Sequence, residues 1–230
     1  MALGVSAAAL VWKPFGRFCF MSLAAVLEKI PPHVTLVAAV KYAPDADAVR
    51  SLVQGGVFAI GENRVQDAEN HFAALSTSLP PFEKHFIGTL QSNKIGNVVR
   101  LFDVVQSLDS LQHAEKLDRA AATQNKVVRV LVQINAGNEK QKSGLPPGKE
   151  NVAAFLSALK PLKNLECGGL MVVVPLEGDS RPHFKRCRQL FDALKAEFNL
   201  SVLSMGTSDD FEVAIEEGAT MVRVGRALFE

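Results

Sequence analysis

From residue 35 onward, short apolar runs alternate with longer amphipathic segments, and this alternation restricts the chain to an α/β architecture. Strands are predicted at residues 36–40, 57–60, 85–87, 104–106, 127–134, 166–173, 201–203 and 220–224. The run at 128–132 and the run at 171–174 are almost continuously apolar. Such runs are typical of parallel strands that helices cover on their outer face.

The segments between these runs have helical periodicity. Helices are predicted at residues 45–54, 65–75, 92–101, 111–124, 149–159, 182–198 and 208–217. In the segment at 182–198, Phe184, Cys187, Leu190, Phe191 and Leu194 recur at spacings of three and four. This pattern predicts a helix with one apolar stripe, which packs against a sheet.

Eight strands in 230 residues predict a single closed (β/α)8 barrel of the TIM type over residues 23–230. Barrels of this kind run to roughly 250 residues as one domain. An open, doubly wound sheet is the competing fold, because the apolar pattern does not itself demonstrate closure. The longest connection, residues 136–148, is rich in glycine and proline and is interpreted as a surface loop.

Residues 1–22 are interpreted as a poorly defined extension. The only charges up to residue 27 are Lys13 and Arg17, a basic, acid-poor pattern that resembles a transit peptide. Organellar targeting is therefore the alternative to a cytoplasmic location. The same two charges interrupt the apolar stretch before it reaches the ~18 residues that a membrane span needs. Met21 is expected to open the first helix of the domain.

Charge and cysteine content exclude several functional classes. Lysine and arginine total 25 against 24 acidic residues, so no global field attracts nucleic acid or an anionic membrane. The three cysteines lie far apart, and the five histidines lack metal-ligand spacing. We therefore expect a reducing compartment, no disulfide framework and no metal site.

Lys41 follows the first predicted strand. In (β/α)8 barrels, the reacting groups lie at the carboxyl ends of the strands. A lysine at that mouth can form an imine when burial or a neighbouring cation favours its neutral amine. Taken alone, a lysine at this place also fits a surface charge whose stem covers apolar surface.

The loops after the seventh and eighth runs are the places where such barrels commonly bind phosphate. The first supplies the Ser204 hydroxyl, Met205 and Gly206, and the second supplies Gly225 and Arg226. Glycine lets the backbone approach a ligand closely. Together these loops predict a phosphate cup, while two ordinary glycine turns remain the alternative.

The helix after the first of these loops is expected to be capped by Thr207 or Ser208. Its first turn also carries Asp209 and Asp210, which favour the helix dipole but repel a phosphate. The loops are therefore expected to hold the phosphate more than the helix axis does.

Three further polar residues lie near strand ends. Arg223 is near the end of the eighth run, and an inward orientation would imply a ligand acceptor, whereas an outward one would imply a salt bridge. Asn63 follows the second run and His85 belongs to the third. Both are candidates for lining a pocket, although a single strand histidine is also compatible with a satisfied core residue.

Several collinear motifs resemble the pyridoxal phosphate homeostasis protein family, which shares the barrel of the alanine racemase amino-terminal domain. The motifs are LVAAVKYAP, IGENRVQDA, HFIGTLQSNK, FDVVQSLDS, KSGLPP, GGLMVVVP, LSMGTSDDFEVAIEEGAT and VRVGRALF, and they extend from Leu36 to Phe229. Two departures concern pocket polarity: Val40 stands where the family often has serine or threonine, and Thr89 where histidine is frequent.

The resemblance implies that the cofactor is pyridoxal 5'-phosphate (PLP), held by Lys41 as an internal aldimine. It implies that the phosphate is bound by Ser204 and by the amides around Met205, Gly206, Gly225 and Arg226. It also implies that Arg223 lies beside the pyridine nitrogen, where a guanidinium leaves the ring a weak electron sink. Asn63 and His85 complete the expected cofactor-binding set.

The resemblance predicts a PLP-binding regulator of vitamin B6 and amino-acid balance without robust catalysis. Its expected partners are PLP, PLP-dependent apoenzymes or amino acids, and its expected state is a monomer or weak homodimer. A PLP-dependent racemase or lyase is the alternative, followed by an imine-forming aldolase and by an adaptor barrel. The only tyrosine, Tyr42, follows Lys41 directly, and strand alternation predicts that it points away from Lys41.

Overall fold

The computed structural model describes residues 21–75, 79–139 and 141–229. Eight parallel strands form a closed barrel in sequence order, and pairing of the first strand with the eighth closes it. The predicted (β/α)8 barrel is confirmed and the open sheet is excluded. We call the carboxyl ends of the strands the rim and their amino ends the floor.

The strands are β1 Thr35–Ala39, β2 Ala59–Glu62, β3 Glu83–Phe86, β4 Val104–Leu108, β5 Val128–Asn135, β6 Leu165–Val173, β7 Val202–Ser204 and β8 Met221–Val224. The helices are α1 Met21–Glu28, α2 Ala46–Gln54, α3 Val65–Ala74, α4 Ile95–Leu101, α5 Leu111–Thr123, α6 Lys149–Leu159, α7 Arg181–Phe198 and α8 Phe211–Glu216. Short 3-10 helices cover Val40–Tyr42, Ser92–Lys94 and Arg226–Leu228.

Two apolar clusters stabilise the barrel. The larger one fills the layer between strands and helices, and it contains the predicted stripe of α7. The smaller one lies inside the barrel and includes Val37, Ala59, Leu131, Met171 and Met221. Because successive strand residues alternate between these clusters, strands buried on both faces have nearly continuous apolar sequences.

Three of the element boundaries that differ from the predictions lie at or beside polar residues. β1 ends at Ala39, and the predicted strand residue Val40 opens a 3-10 helix. β3 begins at Glu83, two residues before the predicted start, because the Glu83 amide donates to the Phe58 carbonyl at 2.8 Å and Glu83 pairs with Ala59 of β2. α8 begins at Phe211 instead of residue 208, because the Ser208 hydroxyl bonds to another loop instead of capping a helix.

The predicted extension lies mostly outside the described residues, which begin at residue 21. α1 begins at Met21, the residue expected to open the first helix. Within the described part of the chain, no helix is long and apolar enough to cross a membrane. Across residues 21–75, 79–139 and 141–229, no group of three potential metal-ligand side chains comes together.

Candidate functional site

Lys41 lies in the 3-10 helix that follows β1, and its side chain is exposed. Its Nζ atom lies 4.5 Å from the centroid of the Tyr42 ring. The prediction that Tyr42 points away from Lys41 is therefore wrong, since strand alternation ends with β1 at Ala39. A cation–π contact at an exposed site contributes only about 0.5–1 kcal/mol, so the lysine side chain can leave this position readily.

The 3-10 helix Val40–Tyr42, which we call the Lys41 turn, packs directly against the loop after β8. A Cβ atom added to Gly225 would lie 3.1 Å from the Ala39 carbonyl oxygen and 3.4 Å from Tyr42 Cδ2. The absence of a side chain at Gly225 thus allows the two segments to approach each other. The backbone of Lys41 and the loop after β8 consequently meet at one edge of the rim.

The loops after β7 and β8 are joined by the Ser208 hydroxyl. Its Oγ accepts hydrogen bonds from the Gly225 amide at 3.1 Å and from the Ala227 amide at 3.4 Å. A serine hydroxyl has two acceptor positions and one hydrogen, so the hydrogen remains for another acceptor. One hydroxyl donor therefore lies where the two predicted phosphate loops meet.

The two acidic residues of this region are partnered. The Asp209 carboxylate accepts a short hydrogen bond from the exposed Arg226 side chain. Asp210 Oδ1 accepts from the Thr207 amide at 2.7 Å and from the Thr207 hydroxyl at 3.2 Å. The predicted repulsion of phosphate by these acids is therefore reduced, because their charge is directed at local donors.

Gly206 makes the sharp turn between β7 and α8. Its φ is +91°, and an added Cβ would lie 2.5 Å from Ala214 Cβ and 2.9 Å from Phe211 Cα. The preceding residue, Met205, is fully buried. The turn therefore requires glycine both for its backbone conformation and for the close approach of α8.

Arg223 points into the barrel and is only 8% exposed. Its Nη1 donates to the Ser204 carbonyl at 2.9 Å and to Ser204 Oγ at 2.8 Å, and its Nη2 donates to the Val172 carbonyl at 2.9 Å. Burial lowers the pKa of the guanidinium to about 10, while the negative charge of Asp210 opposes that shift. Arg223 therefore remains a cation at neutral pH.

The inward orientation of Arg223 answers the question that the sequence left open. A guanidinium carries five N–H donors, and the three hydrogen bonds above leave donors for a ligand acceptor. Ser204 is fully buried beside it, with its hydroxyl bonded to Arg223 and Gln106 rather than facing the loops. The geometry thus puts Ser204 with the guanidinium and Ser208 with the phosphate loops.

Lys41 also lines a cavity of about 250 Å³, together with Ala43, Asp67, Asn70 and His71. Behind it, His71 Nδ1 lies 2.5 Å from Oε1 of Glu62, whose side chain is completely buried. Burial raises the pKa of this carboxyl group, and the hydrogen bond with His71 opposes the rise. In this structure the lysine side chain therefore lies on the α3 side of the rim.

Asn63 lines a separate cavity of about 490 Å³ between the loops after β2 and β3. Thr89, one of the two noted departures from the family pattern, lies in the same cavity. Val40, the other departure, is fully buried in the outer core. Asn63 is therefore near the rim but does not share the cavity that Lys41 lines.

His85 is fully buried inside the barrel and does not open to the rim. Its Nε2 lies 3.2 Å from Glu83 Oε2, and its Nδ1 lies 2.8 Å from Gln106 Nε2. Sequence reasoning did not select Gln106 or Ser208 as site residues. Two features of the sequence could have indicated them: Gln106 is a polar residue in an apolar strand, and Ser208 follows the glycine turn that was predicted to bind phosphate.

These features define the class of protein: a (β/α)8 barrel with a lysine after β1, donor-rich loops after β7 and β8, and an arginine directed inward from β8. The family model described as alanine racemase, N-terminal domain, matches residues 22–230. A solved alanine racemase from Clostridium difficile 630 aligns with a TM-score of 0.71 at 14% identity, covering 90% of this chain and 55% of that one. That likeness shows the fold alone.

Two similar proteins give a narrower assignment. The pyridoxal phosphate homeostasis protein of Aquifex aeolicus (strain VF5) is 40% identical over 199 residues, covering 84% of this chain and 85% of the relative. The structure of PipY from Synechococcus elongatus PCC7942, with PLP bound, aligns with a TM-score of 0.81 at 35% identity, covering 91% of this chain and 99% of that chain. The chain belongs to the pyridoxal phosphate homeostasis protein family, which confirms the resemblance seen in its motifs.

Proposed function

We propose that this protein binds PLP reversibly through Lys41 and regulates intracellular vitamin B6 and amino-acid balance without robust catalysis. The observation that carries the proposal is the convergence of three groups at the rim: the Lys41 turn, the Ser208-bridged loops and the buried Arg223 cation. PLP supplies an aldehyde that condenses with a primary amine, and a phosphate that anchors it. The proposed place of action is the cytoplasm.

The donors at the rim fit such a cofactor. The proposed donor to the phosphate is the hydrogen of the Ser208 hydroxyl, whose oxygen already accepts from the amides of Gly225 and Ala227. The exposed Lys41 side chain rotates from the Tyr42 ring toward the mouth, where its amine meets the aldehyde. The unassigned donors of Arg223 bind the pyridine nitrogen. Ser204 contributes by holding Arg223, and Met205, Gly206 and Arg226 shape and brace the loops.

The non-catalytic role rests on the acid and base groups that racemisation requires. Exchange of a proton between two faces needs two positioned groups. The sequence has one tyrosine, Tyr42, and it lies on the same turn as Lys41 rather than opposite it. Arg223 stays protonated and is a poor proton donor to the ring, so the ring accepts electrons weakly. This set favours holding and exchanging the cofactor over turnover.

The test is spectroscopic. PLP added to the purified protein is expected to produce a visible absorption band, and borohydride is expected to fix the cofactor to the peptide that contains Lys41. Lys41→Ala should lose both signals, whereas Lys94→Ala, a lysine on another rim loop, should keep both. A wild-type protein that stays colourless, or labelling at a different lysine, would refute the proposal.

A panel of D- and L-amino acids separates the regulator from an enzyme, the alternative that the alanine racemase fold brings with it. The proposal expects PLP transfer to a PLP-dependent apoenzyme and no catalytic turnover of any amino acid. Sustained racemisation or elimination that disappears in Lys41→Ala would make the protein an enzyme.

A further inference from the structure

A continuous hydrogen-bond chain runs from Arg223 near the rim to Glu83 at the floor. Arg223 Nη1 lies 2.8 Å from Ser204 Oγ, and Ser204 Oγ lies 2.7 Å from Gln106 Oε1. Gln106 Nε2 lies 2.8 Å from His85 Nδ1, and His85 Nε2 lies 3.2 Å from Glu83 Oε2. We call this set the interior chain.

The interior chain crosses the barrel. Gln106 belongs to β4 and Ser204 to β7, and these strands are not neighbours in the sheet. Gln106, Ser204 and His85 are each 0% exposed, so water does not replace the contacts among them. A buried polar group that loses its hydrogen-bond partner destabilises the folded protein, so each hydrogen bond in the chain contributes to stability.

The two ends of the interior chain fix its direction. Arg223 can only donate, and the ionised Glu83 carboxylate can only accept. Ser204 therefore accepts from Arg223 and donates its single hydrogen to Gln106 Oε1. The Gln106 amide then donates from Nε2 to His85 Nδ1, and because Nδ1 is an acceptor, the ring proton lies on Nε2, facing Glu83.

The reverse orientation of the Gln106 amide is unfavourable on two counts. Ser204 would then receive donors from both Arg223 and Gln106, and its own hydrogen would lack an acceptor in the chain. The carbonyl of Gln106 would also replace Nε2 at the Met221 sulfur, which now lies 3.3 Å from Nε2 as a weak acceptor. The amide orientation that the two ends require is therefore also the one in which every hydrogen of the chain has an acceptor.

The charged groups facing the chain support the same direction. Glu83 Oε1 accepts from Arg129 Nη1 at 3.0 Å at the floor. The hydrogen bond from His85 is the largest cause that lowers the pKa of Glu83 to about 2, with Arg129 adding to it. Near the rim, Asp210 contributes negative charge toward Arg223. The carboxylate end of the chain is therefore ionised and the guanidinium end charged at neutral pH.

We propose that Gln106 is a positioning residue for the cofactor: its Oε1 accepts the Ser204 hydrogen, which turns the Ser204 oxygen toward Arg223 and so holds the cation toward the pyridine ring. The cofactor readout of this proposal rests on the function proposed above. The direction of the chain can be measured without any cofactor. Failure of one proposal is therefore distinguishable from failure of the other.

The first experiment uses the wild-type protein with 15N-labelled histidine, with His85→Asn to assign the His85 signals. We expect the ring proton of His85 on Nε2, facing Glu83, and an unprotonated Nδ1 that accepts from Gln106. A ring with its proton on Nδ1, or an imidazolium, would overturn the assigned direction.

The second experiment compares three substitutions inside the barrel. Gln106→Met removes the acceptor of Ser204 and the donor to His85, so we expect the PLP dissociation constant to rise at least tenfold and the visible band to shift. Gln106→Glu keeps an acceptor for the Ser204 hydroxyl, so the Ser204–Arg223 part of the chain is retained and affinity should return to within threefold of wild type. Met171→Leu, an apolar interior control, should change affinity by less than twofold.

The PLP affinities of the two Gln106 variants distinguish a hydrogen-bonding role of Gln106 from a role in packing alone. If Gln106→Met binds PLP with wild-type affinity and spectrum, or if Gln106→Glu is as impaired as Gln106→Met, the positioning role is wrong. Thermal unfolding of each variant verifies that it folds, and the histidine measurement decides the direction of the chain even if Gln106→Met does not fold. A wild-type protein that gives no borohydride-fixed product instead refutes the proposed function.

Discussion

The Ser208 side chain shows how much of the rim depends on a single hydroxyl group. It joins the loops after β7 and β8 by accepting from two backbone amides, and its hydrogen is the donor proposed for the phosphate. Ser204, which lies four residues earlier at the end of β7, instead accepts a hydrogen bond from the Arg223 guanidinium. Two serines of one motif therefore have different partners.

Ser208→Ala is expected to weaken PLP binding by on the order of tenfold or more, since a hydrogen bond to a charged group contributes about 1.5–3 kcal/mol. The loss of two amide contacts should also lower the free energy of unfolding by about 1 kcal/mol. The control is Thr220→Val, which removes a hydroxyl that accepts from the Leu203 amide at 2.8 Å at the floor. Titration with PLP and urea unfolding measure both effects; equal loss of affinity in the two variants would contradict the assignment.

Residue-level prediction from sequence succeeded where one residue's chemistry and chain position suffice. Lys41 follows β1 and Gly206 makes a turn, as predicted. The partners of Ser204, Ser208 and Gln106 could not be predicted, because each bonds to groups that are distant in the sequence. Their roles are set by barrel closure rather than by local pattern.

At the scale of elements, the β7–α8 connection is the most constrained segment of the rim. Gly206 has a positive φ, and α8 approaches it closely through Phe211 and Ala214. The helix itself has six residues, and the side chain of Asp210, the residue that precedes it, makes no capping hydrogen bond. Packing against the turn, rather than intrinsic helix propensity, is what keeps such a short helix in place.

Gly206→Ala is expected to lower the free energy of unfolding by about 3 kcal/mol, because an alanine at positive φ costs roughly 1–2 kcal/mol and the Cβ overlap adds to it. Gly96→Ala is the matched control: Gly96 lies in α4, where an added Cβ meets no atom within 4 Å. That change should stabilise the protein by about 0.5–1 kcal/mol. Urea unfolding midpoints that move in the same direction for both variants would disprove this account.

The whole barrel is tied together at its floor as well as at its rim. Glu83 on β3 binds Arg129 on β5 across the intervening strand, and it also ends the interior chain through His85. The favourable partners hold its folded-state pKa at about 2, below the ordinary 4.5. For a carboxyl group shifted in this direction, the stabilisation is present above pH 4.5 and is lost as the pH falls through the folded value.

Glu83→Gln is therefore expected to be less stable than wild type at pH 7, and the difference should shrink as the pH falls from 4.5 toward 2. Because the side chain is 44% exposed, solvent screening limits the expected loss to about 1 kcal/mol. Glu166→Gln, an exposed acid near the start of β6, changes the charge equally and should show no such pH dependence. Chemical unfolding of all three proteins between pH 2 and 7 checks this; a constant difference at every pH would contradict it.

The amino-acid sequence alone predicted the alternation and order of strands and helices, the place of Lys41 after the first strand and the glycine-containing rim loops, while it left closure of the sheet open. These features are predictable because a strand that is buried on both faces has a continuous apolar sequence, and because tight turns favour particular residues such as glycine. The tertiary structure was needed to show that Arg223 points inward and that Gln106 connects β4 to β7. It was also needed to show that Ser204 accepts from Arg223 whereas Ser208 accepts from the loop after β8. Those facts depend on which strands face each other across the closed barrel, a relation between distant residues that no local period encodes.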